Sequence, residues 1–269
     1  MTQNSSSGEQ SLAKIDTTVP NSARIWNYWL GGTDYYEVDR GAGDQFSAIF
    51  PQIVDIARAD RSFLGRVVRF LAADAGMRQF LDVGAGLPTA DNTHEVAQRA
   101  APRARVVYVD SDPLVLAHGQ ALLTSSPEGS AHYVDADLGD PGQVLREAAK
   151  WLDLSQPVAL TLMGVLGHVT DYAEARSIVA GLLDGLPAGS YLAVNDSIDT
   201  SEALEEALRQ YEASGAVPYR TRSLEQFASF FDGLDLVEPG VVLVQDWRPD
   251  PGHAAGPELP QVGGVGRKR

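Results

Sequence analysis

The 269-residue chain contains no cysteine. That excludes a disulfide framework, a thiolate metal site and a cysteine nucleophile, and the economical reading is a cytoplasmic protein. Positive charge is scarce: 21 lysines and arginines stand against 36 aspartates and glutamates, a formal net charge of −15. Nucleic-acid binding relies on basic side chains displacing counterions, so no nucleic-acid partner is expected and a small molecule or peptide is favoured. Most of the acidity also serves solubility. Long apolar runs are missing too. The most apolar stretch, PVALTLMGVLGHV at 157–169, is too short to span a bilayer, and MTQNSSSGEQSLAKIDTTVP at 1–20 has no apolar h-region, so neither membrane association nor a signal peptide is expected. The five histidines are scattered, with no H-x-x-x-H spacing and no clustered carboxylates, so no metal site is expected.

What is present supports one sizeable domain, since 44% hydrophobic content suffices for a core. Residues 1–19 are Ser/Thr/Gln-rich and 248–269 are rich in Pro and Gly; neither stretch has an apolar period, and both read as flexible tails around a domain at 20–247. Within 51–76, Ile53, Ile56, Ala57, Phe63, Leu64, Val67, Val68 and Leu71 recur at helical spacing, and this amphipathic helix closes an N-terminal helical cap over 20–76.

Short β-rich runs then alternate with helical stretches: QFLDVG, a helix after Asn92, ARVVYVD, a helix through PLVLAHGQALL, AHYVDAD, a helix near 141–151, PVALTLMG, a helix after Thr170, and SYLAVND. The alternation predicts a Rossmann-like α/β sheet, mostly parallel, with helices on both faces. The last third changes rhythm. TSEALEEALRQYEASG reads as an exposed helix, SLEQFASFF opens with an S-x-x-Q capping pattern at Ser223 and Gln226, and LDLVEPGVVLVQDW reads as two strands joined at Pro239-Gly240, an antiparallel hairpin ending the sheet.

FLDVGAGLPTADNTHEV at 80–96 resembles a G-x-G-x-x-G dinucleotide loop but carries Thr89, preceded by Pro88, in place of the third glycine. A pyrophosphate needs the close helix N-terminus that this glycine permits, so a ligand without phosphates fits better, and S-adenosylmethionine is one. Asp110, ending ARVVYVD 26 positions after Gly84, is placed to accept from ribose hydroxyls. Asp137, at the end of HYVDAD, suits the adenine amino group, with the Leu138 N–H for the ring. Asp82 is a candidate either to order the glycine loop or to meet the ligand's ammonium. Ser111 and Gly164, at the ends of the second and fourth strands, join the candidate set. The alternative for each strand-end aspartate is a helix cap, most plainly for Asp112 before Pro113.

The residues also resemble a bacterial family of class I S-adenosylmethionine-dependent methyltransferases whose acceptors are largely unidentified. The likeness rests on an N-terminal P-x-x-A-R and Y-x-L-G-G segment, here PNSARIWNYWLGGTDYYEVDR at 20–40, and a D-x-G-x-G-L-P-T loop, here LDVGAGLPT at 81–89. HEVAQRAAPRARVVYVDSDPLVLAHGQALL and FFDGLDLVEPGVV extend it over nearly all of the chain between the tails. The resemblance implies Gly84, Ala85 and Gly86 along the methionine part of the cofactor, Asp110 at the ribose, Asp137 and Leu138 at the adenine, and an N-terminal segment over the site with Tyr28, Gly31 and Gly32 near the cofactor. ARIWNYWLGG reads either as a lid hinged at its glycines or as a helix docked by Trp26 and Trp29. Arg61 is a candidate partner for the methionine carboxylate, or a solvated charge.

The methyl acceptor would approach LMGVLGHVTD, where His168 is the candidate base, with structural hydrogen bonding as its alternative. Where the family carries a Ser-His pair this chain has Asn195-Asp196, and Asp196 is a candidate to orient an amine or hydroxyl acceptor. The sequence thus points to methyl transfer from S-adenosylmethionine, leaving S-adenosylhomocysteine, to a small molecule. It leaves open an NAD(P)-dependent oxidoreductase, a non-catalytic S-adenosylmethionine-binding module, and the oligomeric state.

Overall fold

The β-branched and aromatic runs become strands β1 (Gln79–Val83), β2 (Arg105–Asp110), β3 (Ser130–Asp135), β4 (Ala159–Met163) and β5 (Tyr191–Ser197). A computed structural model describes residues 15–122, 124–250, 252 and 257–269. Helices α1 (Ser22–Trp29), α2 (Glu37–Ile49) and α3 (Ile53–Ala73) precede the sheet. Between strands lie α4 (Thr93–Ala100), α5 (Pro113–Leu122), α6 (Pro141–Ala148) and α7 (Tyr172–Asp184), followed by α8 (Glu202–Ala213) and α9 (Leu224–Ala228). The capping signals act as read: Ser223 accepts from the Gln226 N–H and Gln226 returns the bond, while Asp112 accepts from the amides of Leu114 and Val115.

β1 to β5 pair in parallel, in the spatial order β3-β2-β1-β4-β5. Side chains alternate between faces. Leu81, Val83, Leu160, Leu162 and Val194 pack with α6, α7 and α9, and Phe80, Val106, Tyr108 and Ala193 pack with α3 and α4. Among the described residues no helix is long and apolar enough to cross a membrane.

The C-terminal stretch departs from the sequence reading. Residues 261–268 are not a tail: they form β8 (Gln261–Lys268), the longest strand, paired antiparallel along all of β5. Three glycines hid it, because glycine is a poor strand former. Here their missing side chains are filled by neighbours: a Cβ on Gly263 would lie 2.5 Å from Phe63, and one on Gly266 2.9 Å from Leu234. The antiparallel ending is therefore present, but not as a hairpin. β6 (Leu234–Leu236) and β7 (Val242–Leu243) both pair with β8 rather than with each other, as one interrupted edge strand from which the Pro239-Gly240 turn protrudes.

At the other end, residues 1–14 of the expected N-terminal tail lie outside the described residues, and the carbonyls of Asp16 and Val19 are tied down by the Arg24 guanidinium at 3.0 and 2.6 Å. Arg24 also meets Asp39 at 2.8 Å, both side chains buried, which fastens α1 to α2. α8 is not the exposed helix expected. Its Leu204, Leu208 and Tyr211 pack with Ile25, Trp29, Phe46 and Ile56 in a third core that joins the cap helices to α8.

Candidate active site

Strands step outward from β1 to β3, then return to the other side of β1 at β4, and the order reverses between β1 and β4. Neighbouring crossovers diverge there and leave a crevice at the strands' carboxyl ends. A cleft of about 780 Å³ occupies this position.

The glycine loop forms its floor. Gly84 and Gly86 have φ of 74° and 65°, which glycine alone adopts freely. They differ in purpose: a Cβ on Gly84 would strike Val165 at 2.4 Å, whereas one on Gly86 would meet nothing within 4 Å. Gly84 is therefore needed for the β1 and β4 loops to touch. Ala85 lines the cleft between them, and the Gly86 N–H donates to Asp110 Oδ2 at 2.9 Å.

Asp110 Oδ1 accepts from the Asp112 N–H at 2.9 Å; burial raises the pKa of this carboxyl, partly offset by the backbone amides of Asp112, Gly86 and Ser111. Asp82 accepts from the hydroxyls of Thr93 at 2.6 Å and Thr161 at 2.8 Å. It thereby ties β1 to α4 and β4; burial raises its pKa, partly offset by those hydroxyls and by nearby Arg61. Arg61 donates to the carbonyls of Ala90 and Asp91, both at 2.9 Å. Asp137, exposed, accepts from the Gly139 N–H, and with Ser111 and Leu138 it lines the far end of the cleft. Gly164, φ 63°, donates to the Asn195 carbonyl at the near end.

His168 sits in a 3-10 turn at Leu166–His168, with Nδ1 3.0 Å from the Pro218 carbonyl. That partner can only accept, so Nδ1 carries the proton and Nε2 keeps its lone pair. Burial holds the imidazole below the usual histidine pKa, favouring the neutral ring.

The N-terminal segment reaches the cleft through different residues than those expected. Tyr28, Gly31 and Gly32 do not line it; Ser22, Ala23, Trp26, Asn27 and Leu30 do. These positions share one helical face, and Tyr28 points elsewhere, donating to Asp44 at 2.5 Å. Gly32 instead makes room for Asn27, whose side chain a Cβ would strike at 2.3 Å. Trp29 docks the helix against Phe46, while Trp26 lines the site.

A smaller cavity of about 70 Å³ opens from the cleft. Ser22, Trp26, Asp60, Gly164 and His168 line both spaces, and Ile25, Trp29, Phe46, Ile56, Leu208, Tyr211 and Tyr219 make the rest mostly apolar. Asp196 lies behind this wall rather than in it: Tyr219 donates to its Oδ1 and Arg222 lies 3.5 Å from its Oδ2. Burial, partly offset by these partners, pushes its carboxyl up to about 6.

Asp60, Tyr219 and Gln261 were not found by sequence reasoning. Asp60 left a signal, an acid in the apolar stripe of α3 between Ala57 and Phe63. Tyr219, in a loop, and Gln261, in a glycine-rich stretch, left none.

Charge narrows the ligand. Asp60, Asp82, Asp110, Asp112, Asp137 and Glu174 line the cleft with one guanidinium, Arg61. Such a site attracts a cation and disfavours the pyrophosphate of a dinucleotide.

The family model described as S-adenosyl methyltransferase matches residues 8–269. A crystal structure of a DUF574 family protein from Streptomyces avermitilis MA-4680 is similar over 95% of this chain and 100% of its own, at 44% identity and a TM-score of 0.91. A protein from Thermobifida fusca YX, assigned as a methyltransferase, is similar over 94% of this chain and 97% of its own, at 39% identity and a TM-score of 0.86. An S-adenosylmethionine-dependent methyltransferase from Anabaena variabilis ATCC 29413, at 15% identity and a TM-score of 0.52, shares the fold. No curated protein matches the chain. The chain belongs to the S-adenosyl methyltransferase family and is an S-adenosylmethionine-dependent methyltransferase.

Proposed function

We propose that this methyltransferase acts on a small molecule, received in the cavity beside the cofactor cleft. The observation that carries the reading is the cavity itself, about 70 Å³ and walled by the cap helices and α8, which suits a compact group better than a polymer.

The cleft fits the cofactor in charge and in donor set. The carboxylates of Asp82, Asp110, Asp112 and Asp137 suit a ligand carrying a sulfonium and an ammonium, and the acceptor oxygens of Asp110 suit ribose hydroxyls. We assign Asp110 to the ribose, Asp137 and the Leu138 N–H to the adenine, the 84–86 loop and Gly164 to the methionine part, and Arg61 with Asp82 to its charged end. When bound, S-adenosylmethionine supplies an electrophilic methyl group on a sulfonium with a neutral thioether as leaving group.

The chain then has to align the acceptor and keep water out, which accounts for much of the acceleration of an in-line displacement. Trp26 and the aromatic wall exclude water, and His168, neutral with its Nδ1 proton on the Pro218 carbonyl, lines the space where cleft and cavity meet. Incubation with S-adenosylmethionine labelled in its methyl group, against panels of small amines, alcohols and phenols and against peptides, tests the proposal. Labelled small-molecule product is expected. Label in peptides alone would overturn it, and cofactor binding without any product would favour a non-catalytic binding module.

A further inference from the structure

Asp60 interrupts the apolar stripe of α3 between Ala57 and Phe63, and it is 6% exposed. Its Oδ2 accepts from Gln261 Nε2 at 2.9 Å, and Gln261 is held in turn by the Ser197 hydroxyl at 2.7 Å. Its Oδ1 is buried without a well-formed hydrogen bond; the one side chain beside it that favours the carboxylate there is the neutral amide of Asn195, itself otherwise unpartnered. The side chain lines both the cleft and the small cavity, where the two meet.

The charges around it leave it without a counter-ion. Arg61, next along the chain, is turned to the carbonyls of Ala90 and Asp91; Arg222 belongs to Asp196; burial favours neutral His168. The remaining charged neighbour, Asp196, is a carboxylate that repels it. An unpaired carboxylate at an apolar core position is costly, and a ligand cation relieves that cost. The cavity it lines also carries the rings of Trp26, Trp29, Phe46 and Tyr211, and aromatic π-systems favour a cation.

Resting on the small-molecule reading above, we propose that Asp60 is the acceptor-binding carboxylate and that the acceptor is a compact amine, held through its ammonium group at Asp60 Oδ1. The cavity, about 70 Å³, is roughly half the ~150 Å³ apolar cavity that takes benzene, so a small aliphatic amine enters whole and a larger one by its aminomethyl end. To become a nucleophile the ammonium loses a proton: one N–H bond breaks, its electron pair stays on nitrogen, and the proton passes to Oδ1. Burial disfavours the ionised form of Asp60 and a cation bound beside it favours that form; once ionised, the buried carboxylate is a better acceptor for the proton than an exposed one.

The test is calorimetric titration of the full-length protein, saturated with S-adenosylhomocysteine, with isobutylamine and with isobutanol, which share a carbon skeleton. The amine is expected to bind at least tenfold more tightly, with Asp60→Asn erasing the preference while keeping S-adenosylhomocysteine affinity within about twofold, as a folded cofactor site requires. Equal affinities in the wild-type protein, or no binding of either probe, would overturn the proposal without recourse to any variant. Loss of S-adenosylhomocysteine binding in a folded Asp60→Asn protein would also overturn it, by giving Asp60 to the cofactor. Failure of the wild-type protein to bind S-adenosylhomocysteine would instead bring down the reading on which the proposal rests.

Discussion

Gly263→Ala should destabilise the protein although alanine is ordinarily the better residue in a strand. Gly263 has no positive φ, so the backbone accepts a side chain, and removing glycine from the unfolded chain by itself would stabilise by about 0.4–1 kcal/mol. Packing opposes this. The added Cβ would lie 2.5 Å from Phe63 Cζ and 2.9 Å from both Cε atoms, against the ~3.5–4.0 Å of an ordinary carbon contact. The ring has to retreat by about 1 Å, but it is fully buried, with the Trp247 ring 5.7 Å away edge-on. Overpacking of this kind costs about 1–3 kcal/mol, and because the fully buried ring cannot move away freely the cost lies toward the upper part of that range, leaving a net loss of about 1–2.6 kcal/mol. Urea unfolding of the variant, read at constant m-value, measures it. A second variant, Phe63→Leu with Gly263→Ala, should lose less than the sum of the two single changes, because the smaller side chain relieves the contact. Unchanged or increased stability of Gly263→Ala would refute the claim that β8 is packed against α3 through its missing side chains.

Other expectations follow from buried charge. Asp196 titrates near 6 in the folded protein against an ordinary 3.8, so the native state holds a proton that the unfolded chain releases, and stability falls as pH rises through about 4 to 6. The contribution lost is about 3 kcal/mol for a shift of about two pKa units; Asp196→Asn should flatten the pH dependence of urea stability in that window, and an unaltered slope would refute the assignment. Asp39→Ala should cost about 3–5 kcal/mol, because it strands the buried Arg24 guanidinium and two backbone N–H groups, whereas a joint Arg24→Met, Asp39→Leu replacement should recover much of the loss in thermal unfolding.

How far the sequence discloses this molecule varies by element. β1, β2, β4 and β5 are legible because their valines and leucines are buried on both faces of a parallel sheet, a pattern that needs no knowledge of partners. β8 is not, since its glycines are explained by Phe63, Phe231 and Leu234, side chains 32 or more residues away in sequence. The lining of the large cleft is legible for a related reason. Asp82, Gly84, Gly86 and Asp110 stand at the ends of consecutive strands, where topology alone delivers them to the switch point. The smaller cavity is not legible, because it is assembled from α1, α2, α3, α8, the 219 loop and β8, elements far apart in sequence. Tyr28 shows the same limit on a smaller scale: a motif can name the right helix, yet helical phase decides that Trp26 and Asn27 face the cleft and Tyr28 does not.

The most direct test of the central claim, that the acidic cleft at the β1–β4 switch is the cofactor site, is calorimetric titration with S-adenosylhomocysteine and NADH of the wild-type protein and of Asp110→Ala. The account predicts saturable binding of S-adenosylhomocysteine, at least tenfold weaker in the variant, and no binding of NADH; binding of NADH in its place, or S-adenosylhomocysteine affinity indifferent to Asp110, would contradict it.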